Sequence, residues 1–247
     1  MKPYYETGGV TLYCGDCRDV IPALDASGIE LMIADPPYSR VRDDAWDRIT
    51  PDDLILLLDD VITSAEKRMK TNSSAYFFCW PPFADRLTGL LRRRAGFLGH
   101  LVWAKRLANG APSGIAAWQD VRVLRKYFTE TERILFAEIN SHPDRASYPR
   151  RTFHAMKSRY TDLWYYPPVG SASRLRIHNC QKPLGLLADM ITISSEPGSV
   201  ILDPFAGSCA SGIAAVQTGR RAILVEREES YCEKGAAWLE SFVRGRA

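Results

Sequence analysis

Short apolar runs alternate with longer runs of helical period along most of the chain, and this alternation most constrains its fold. A strand that is apolar on both faces must be covered on both, and the intervening helices supply the cover. The pattern therefore reads as an α/β fold, a mostly parallel sheet flanked by helices. Strands are expected at 10–13, 29–34, 75–80, 99–104 and 133–137, and helices at 19–24, 51–69 and 83–94. Pro51 suits a first helical turn, with Asp52 and Asp53 beside the positive end of the helix dipole. After a stretch without sustained period, strands at 199–203 and 222–226 alternate with helices at 183–194, 211–217 and 230–243.

A chain of 247 residues holds one large α/β domain with a substantial core, and 46% hydrophobic with 25% charged residues is ordinary for a soluble globular protein. The aperiodic stretch, 138–180, reads as an insertion, since long irregular segments in compact domains tend to be functional. No apolar run approaches the ~20 residues of a membrane span. The opening Met1-Lys2-Pro3-Tyr4-Tyr5-Glu6 lacks the apolar core of a secretion signal, so a cytoplasmic location is expected. Cys14 and Cys17 have the spacing of half a zinc site, but no second Cys-x-x-Cys complements them. The six cysteines read as free thiols with no metal site. Charge is uneven: residues 81–160 hold 15 Lys and Arg against 6 Asp and Glu, whereas the rest of the chain is net acidic. Such asymmetry points to a basic face for a polyanion, with Arg92-Arg93-Arg94, Lys105-Arg106, Arg122, Arg125-Lys126 and Arg150-Arg151 as candidate phosphate contacts.

Two strand ends carry candidate chemistry. Leu31-Met32-Ile33-Ala34 runs into Asp35-Pro36-Pro37-Tyr38, at the carboxyl end of a strand, where open α/β sheets bind ligands. Consecutive prolines fix the exit and remove two N–H donors, leaving carbonyl acceptors beside the Asp35 carboxylate. That acceptor pair suits an amino group, and Tyr38 offers a face for a flat base. Val200-Ile201-Leu202 runs likewise into Asp203-Pro204-Phe205-Ala206-Gly207-Ser208, a small-residue loop that admits a ligand close to backbone and opens a helix. Glu226 then ends the strand 222–226, where a nucleotide-binding sheet places an acid for ribose hydroxyls.

Together these segments resemble the amino-methyltransferases of DNA, in the permuted group whose catalytic motif precedes the cofactor loop. The resemblance covers nearly the whole chain outside the irregular stretch. It implies a Rossmann-like methyltransferase fold with a mostly parallel seven-stranded sheet, helices on both faces and circularly permuted motif order. It also implies S-adenosylmethionine as cofactor and DNA as partner. Asp35, Pro36, Pro37 and Tyr38 match the catalytic tetrapeptide. Asp16 and Cys17, after Gly15, match the segment near the cofactor adenine. Lys182 and Pro183, in Gln181-Lys182-Pro183-Leu184, match the segment that closes over the methionine part. Asp203, Pro204, Phe205, Ala206, Gly207 and Ser208 match the cofactor loop, and Glu226 the ribose acid. Two departures stand out. The loop usually continues Gly-Ser-Gly-Thr, but here Cys209 puts a side chain where backbone normally passes the methionine moiety. His178-Asn179-Cys180-Gln181 replaces His-Pro-Thr-Gln, a change expected to be peripheral.

The resemblance implies methyl transfer to the exocyclic amine of a flipped base. The amine's N–H groups would bond to Asp35 and the Pro36 carbonyl, and adenine N6 is favoured because the cytosine-N4 form tends to have Ser before Pro-Pro-Tyr. Carbon-5 cytosine methylation needs a nucleophilic Pro-Cys, a dipeptide the sequence lacks. A DNA-binding relative without catalysis is the alternative from another class, motivated by Cys209. The irregular stretch falls where the family carries target-recognition elements but is short for an independent domain. Either short target sites or recognition shared across a homodimer is expected.

Overall fold

The computed structural model describes residues 1–38, 47–106, 130–140, 153–154, 161–170, 177–178 and 180–245. Most of the expected recognition stretch, and the basic candidates Arg122, Arg125, Lys126, Arg150 and Arg151, lie outside the described residues.

Alternation along buried strands divides the core in two. In β3 (Ile29–Ala34), Met32 and Ala34 face one layer, while Leu31 and Ile33 face the other. The first layer is closed by α1 (Cys17–Ala23), α2 (Pro51–Glu66) and α3 (Ala84–Arg94), which contribute Ile21, Leu58, Ile62 and Leu91. The second is closed by α4 (Leu184–Ser194), α5 (Ala210–Gln217) and α6 (Glu229–Arg244), with Met190, Ile213 and Leu239 buried. Helices from the first half of the chain thus cover one face and helices from the second half the other.

The remaining strands are β1 (Tyr5–Thr7), β2 (Val10–Cys14), β4 (Met69–Cys79), β5 (Gly96–Ala104), β6 (Thr131–Ile139), β7 (Leu163–Tyr165), β8 (Val200–Asp203) and β9 (Arg221–Glu226). They form a nine-stranded sheet in the order β1-β2-β9-β8-β3-β4-β6-β5-β7. The seven expected strands are its interior, and the three-residue β1 and β7 extend its edges. Pairing is parallel from β2 through β9, β8 and β3 to β4, whereas β6 runs antiparallel to both β4 and β5. The chain leaves β3 toward β4 on one side and β8 toward β9 on the other, so the order reverses between β3 and β8. A crevice at the carboxyl ends of these two neighbours is the expected consequence.

Local chemistry sets the element ends. Thr50 caps α2 by accepting the Asp53 N–H at 3.1 Å, with Pro51 in the first turn as expected. The helix stops at Glu66 rather than 69, because β4 begins at Met69. The polar Lys70-Thr71-Asn72 belongs to β4 through an irregularity that carries the register from Ile29↔Met69 to Leu31↔Ser74. Asn72 takes a left-handed conformation there, φ 58°, and donates its N–H to Asn140 O at 3.0 Å. Among the described residues no helix is long and apolar enough to cross a membrane.

Candidate functional site

Asp35 follows β3 and Asp203 ends β8, so their side chains enter the crevice from adjacent strands. Between and around them lies a cavity of about 680 Å³. Asp35, Pro36, Pro37 and Tyr38 line it, as do Asp16, Cys17, Lys182 and Glu226 and every residue from Asp203 to Ser208. Pro183 does not: it is buried at the start of α4, where its carbonyl accepts the Leu187 N–H at 3.2 Å.

One half of the cavity is rich in acceptors. Asp203 is held by the Phe205 N–H at 2.9 Å and by the Ser211 hydroxyl. Glu226 accepts N–H groups from Gly207 and Glu228, both at 2.7 Å. Gly207 makes its turn at φ 50°, in the region that glycine enters without a Cβ penalty. Among the described residues no cation is ion-paired with Asp203 or Glu226. Burial pushes the Asp203 carboxyl up to about 7, with Asp35 and Glu226 adding to the rise. Burial also raises the Glu226 carboxyl. Such a half suits a ligand that brings cations and hydroxyl donors. Gly15 donates its N–H to the Glu226 carbonyl at 2.8 Å, tying the β2 and β9 ends together, and Asp16 caps α1 through the Arg18 N–H at 2.9 Å.

The other half holds a buried ion network. Lys182 Nζ lies 2.6 Å from Asp35 Oδ2 and 3.4 Å from Glu132 Oε2. It sits over the Phe78 ring, 4.8 Å from its centroid, and over Tyr38 at 5.3 Å. Tyr38 Oη is 3.0 Å from Asp35 Oδ1 and 2.8 Å from Glu132 Oε2, and Lys105 Nζ is 2.7 Å from Glu132 Oε1. The Tyr38 N–H donates to the Asp47 carboxylate. Burial raises the Asp35 carboxyl, with Lys182 opposing and Glu132 adding to the rise. At Glu132 burial works upward too, but Lys182 and Lys105 outweigh it and hold the carboxyl low. Burial alone would lower the Lys182 ammonium; its two carboxylates hold it well up instead.

The resemblance implies Lys182 near the cofactor; in the structure it lines the cavity and pairs with Asp35. Glu132 was missed because β6 is antiparallel, which brings its first residues, not its last, to the level of the other strands' carboxyl ends: Arg133 pairs with Cys79. Only that orientation could have flagged the acid.

The family model N6_N4_Mtase, described as DNA methylase, matches residues 29–237. The chain belongs to this DNA methylase family. The DNA methylase is 27% identical to the type II methyltransferase M2.MboI of Moraxella bovis, over 94% of this chain and 89% of that one. It is 26% identical to the DNA adenine methyltransferase YhdJ of Escherichia coli K12, over 93% and 82%. Its fold matches that of M1.HpyAVI, solved as a complex with SAM, with a TM-score of 0.70 at 21% identity and coverage of 93% and 98%. It also matches the cytosine-N4-specific PvuII DNA methyltransferase, with a TM-score of 0.73 at 16% identity and coverage of 99% and 96%.

Both departures of this DNA methylase can now be placed. Cys209 has φ 63°, so a non-glycine residue does sit in the left-handed region, yet its side chain is fully buried in the second core and points away from the cavity. Gly235 of α6 makes the room: a Cβ there would lie 2.4 Å from Cys209 Sγ. His178 is not peripheral. It lines the cavity with Cys180, stacks edge-on to Tyr231 with ring centroids 4.4 Å apart, and accepts the Cys180 N–H at 3.0 Å. Cys14 and Cys17 separate, packing into opposite cores, and among the described residues no His, Cys, Asp or Glu group could hold a metal ion. Arg92-Arg93-Arg94 end α3 just before Gly96, which aligns through Glu138 with Ser74, so they lie at the far edge of the sheet from the cavity. Arg94 pairs with Asp59, and Lys105 and Arg106 pair with Glu132 and Glu130.

Proposed function

We propose that this DNA methylase transfers a methyl group from S-adenosylmethionine to N6 of an adenine turned out of DNA. The observation that carries the reading is one cavity with Asp35 on one side and the pair Asp203 and Glu226 on the other. The acceptor-rich half fits the cofactor: its ribose hydroxyls are donors, and its ammonium and sulfonium are cations that ionised Asp203 and Glu226 would favour. Asp16 and Cys17 would border the adenine ring, and the 204–208 loop would admit the cofactor close to backbone. Bound there, S-adenosylmethionine supplies an electrophilic methyl on sulfur.

The remaining work falls to the chain's own groups. An exocyclic amine is a poor nucleophile because its lone pair is delocalised into the ring. Acceptance of its N–H groups by Asp35 and the Pro36 carbonyl favours a pyramidal nitrogen with the lone pair directed outward. The lone pair would take the methyl as the sulfur–methyl bond breaks, and the surplus amine proton would pass to Asp35, so that catalysis is positioning and electrostatics with no covalent enzyme intermediate. Asp35 lines a cavity with its side chain 23% exposed, so a base must leave its stack to reach it. Adenine is favoured by Asp rather than Ser before Pro36, and by the likeness to a relative named as an adenine methyltransferase. DNA would approach at the carboxyl edge of the sheet, either at short sites or shared by a homodimer.

Incubation with labelled S-adenosylmethionine and mixed-sequence DNA, followed by nucleoside mass spectrometry, tests this. N6-methyladenine is expected. N4-methylcytosine would overturn the choice of base, and no modified base together with no cofactor binding at millimolar concentration would overturn the reading as a whole.

A further inference from the structure

Both oxygens of Asp35 are already engaged: Lys182 Nζ is on Oδ2 at 2.6 Å and the Tyr38 hydroxyl on Oδ1 at 3.0 Å. Each carboxylate oxygen can accept more than one hydrogen bond, but an amine that approaches along either occupied direction takes the place that Lys182 or Tyr38 holds. Each has a second seat close by, and it is the same residue. Glu132 Oε2 is 3.4 Å from Lys182 Nζ and 2.8 Å from Tyr38 Oη. The hydroxyl has one proton and two carboxylate neighbours, so it can turn to either. The ammonium needs to move only a fraction of an ångström to exchange its closer partner. Lys105, 2.7 Å from Glu132 Oε1, keeps that acid ionised and fixed.

We propose that Glu132 is a positioning residue for the transfer: it receives the Lys182 ammonium and the Tyr38 hydroxyl when the target amine takes their places on Asp35. The inference rests on the reading of Asp35 as acceptor of the amine. The ammonium stays paired throughout, so the exchange leaves no buried charge alone, the condition under which such networks are strongly destabilising. It also sets the charge on Asp35. The groups that bear on that carboxylate are Lys182 before α4, Tyr38 beside it, Glu132 on β6 with Lys105 behind, and Asp203 on β8.

The test is the acidic limb of the rate–pH profile, measured under saturating DNA and S-adenosylmethionine for wild type, Lys182→Met, Glu132→Gln and Glu132→Asp. Lys182→Met removes the cation from Asp35 and should move the limb upward by about one pH unit. Glu132→Gln leaves the ammonium wholly on Asp35 and removes a repelling charge. Its plateau kcat should fall about tenfold or more while its limb moves down, and Glu132→Asp should restore the wild-type limb. A merely structural role would lower amplitudes without opposite movements of the limb. Coincident limbs, no limb between pH 5 and 9 for Lys182→Met, or a Glu132→Gln kcat within about twofold of wild type would overturn the proposal. If Glu132→Gln does not fold, Glu132→Asp decides: its shorter carboxylate should keep the wild-type limb while lowering kcat, and an unchanged kcat would overturn the proposal. Wild type that neither methylates a base nor binds S-adenosylmethionine refutes the functional reading itself, an outcome distinct from limbs that fail to move.

Discussion

Asp35 meets the cavity through a side chain that hydrogen-bonds forward to Tyr38 and pairs with Lys182, and it props up neither core. Truncation to Asp35→Ala should accordingly cost transfer far more than cofactor affinity. A loss of ~10²–10³ in kcat, with cofactor binding within a few-fold of wild type, is the expected result of kinetics paired with calorimetry. Cys209 presents the reverse case, a residue that stood out in the sequence for function and turns out to be packed. Its left-handed conformation costs roughly 1–2 kcal/mol relative to glycine, but its thiol fills space beside Gly235 that a smaller residue would leave empty. Gly235→Ala should therefore destabilise by about 1–3 kcal/mol in denaturant unfolding, and the double variant with Cys209→Gly should regain most of that loss. Cofactor affinity of Cys209→Gly should stay within about threefold of wild type; a larger gain would place the side chain in the binding path after all. Asp35, Asp203 and Glu226 were legible because each terminates an apolar run. Glu132 opens a run, and nothing in its neighbours tells which way that strand points.

Elements were legible where one physical signal dominated. The buried β3 was expected at 29–34 and occupies those residues, since five apolar residues with a single acid, Glu30, between a glycine and an Asp-Pro allow little else. The helix before Ser195 and the strands before Asp203 and after Gly219 fall within a residue or so of expectation for the same reason. β4 was half seen. Only 75–80 is apolar, while Lys70-Thr71-Asn72 looks like a loop and lies in the irregular part of the strand. The edge strands β1 and β7 have three residues each, too short for any period to show. Asn72 supports the irregularity, because asparagine tolerates left-handed backbone better than other residues with a Cβ. Asn72→Gly should be nearly neutral, whereas Asn72→Val should cost about 1–2 kcal/mol or more, as read from thermal or denaturant unfolding. Equal stability of the two would mean that the local pairing re-registers rather than holding its φ of 58°.

At the scale of the molecule, uneven charge agrees with membership of a DNA methylase family, and the described members of the basic set fall in two separate places. Arg92-Arg93-Arg94 lie at the amino end of the sheet, and Lys105 and Arg106 are paired with acids near the cavity. The more telling electrostatic fact is that the acceptor-rich half of the cavity concentrates acids, Asp203 and Glu226, whose carboxyls burial raises. For Asp203 the folded value of about 7 stands above the ordinary 3.8. The folded protein thus holds a proton there that the unfolded chain has released. This contribution to stability is fully present below pH 3.8 and is lost as pH rises through about 7. A bound cation reverses the preference, because it favours the ionised carboxylate. If S-adenosylmethionine binding requires that form, the ionised fraction limits affinity below pH 7 and ceases to limit it above. Affinity should strengthen by about tenfold between pH 6 and pH 8. Near pH 6.5 binding should release a proton, which calorimetry in two buffers of different ionisation enthalpy would count. Asp203→Asn should flatten the dependence while weakening binding at pH 8. A pH-independent affinity in the wild type would mean that Asp203 stays protonated against the bound cofactor, and would leave its charge to be answered by Glu226 and the other acids of the cavity.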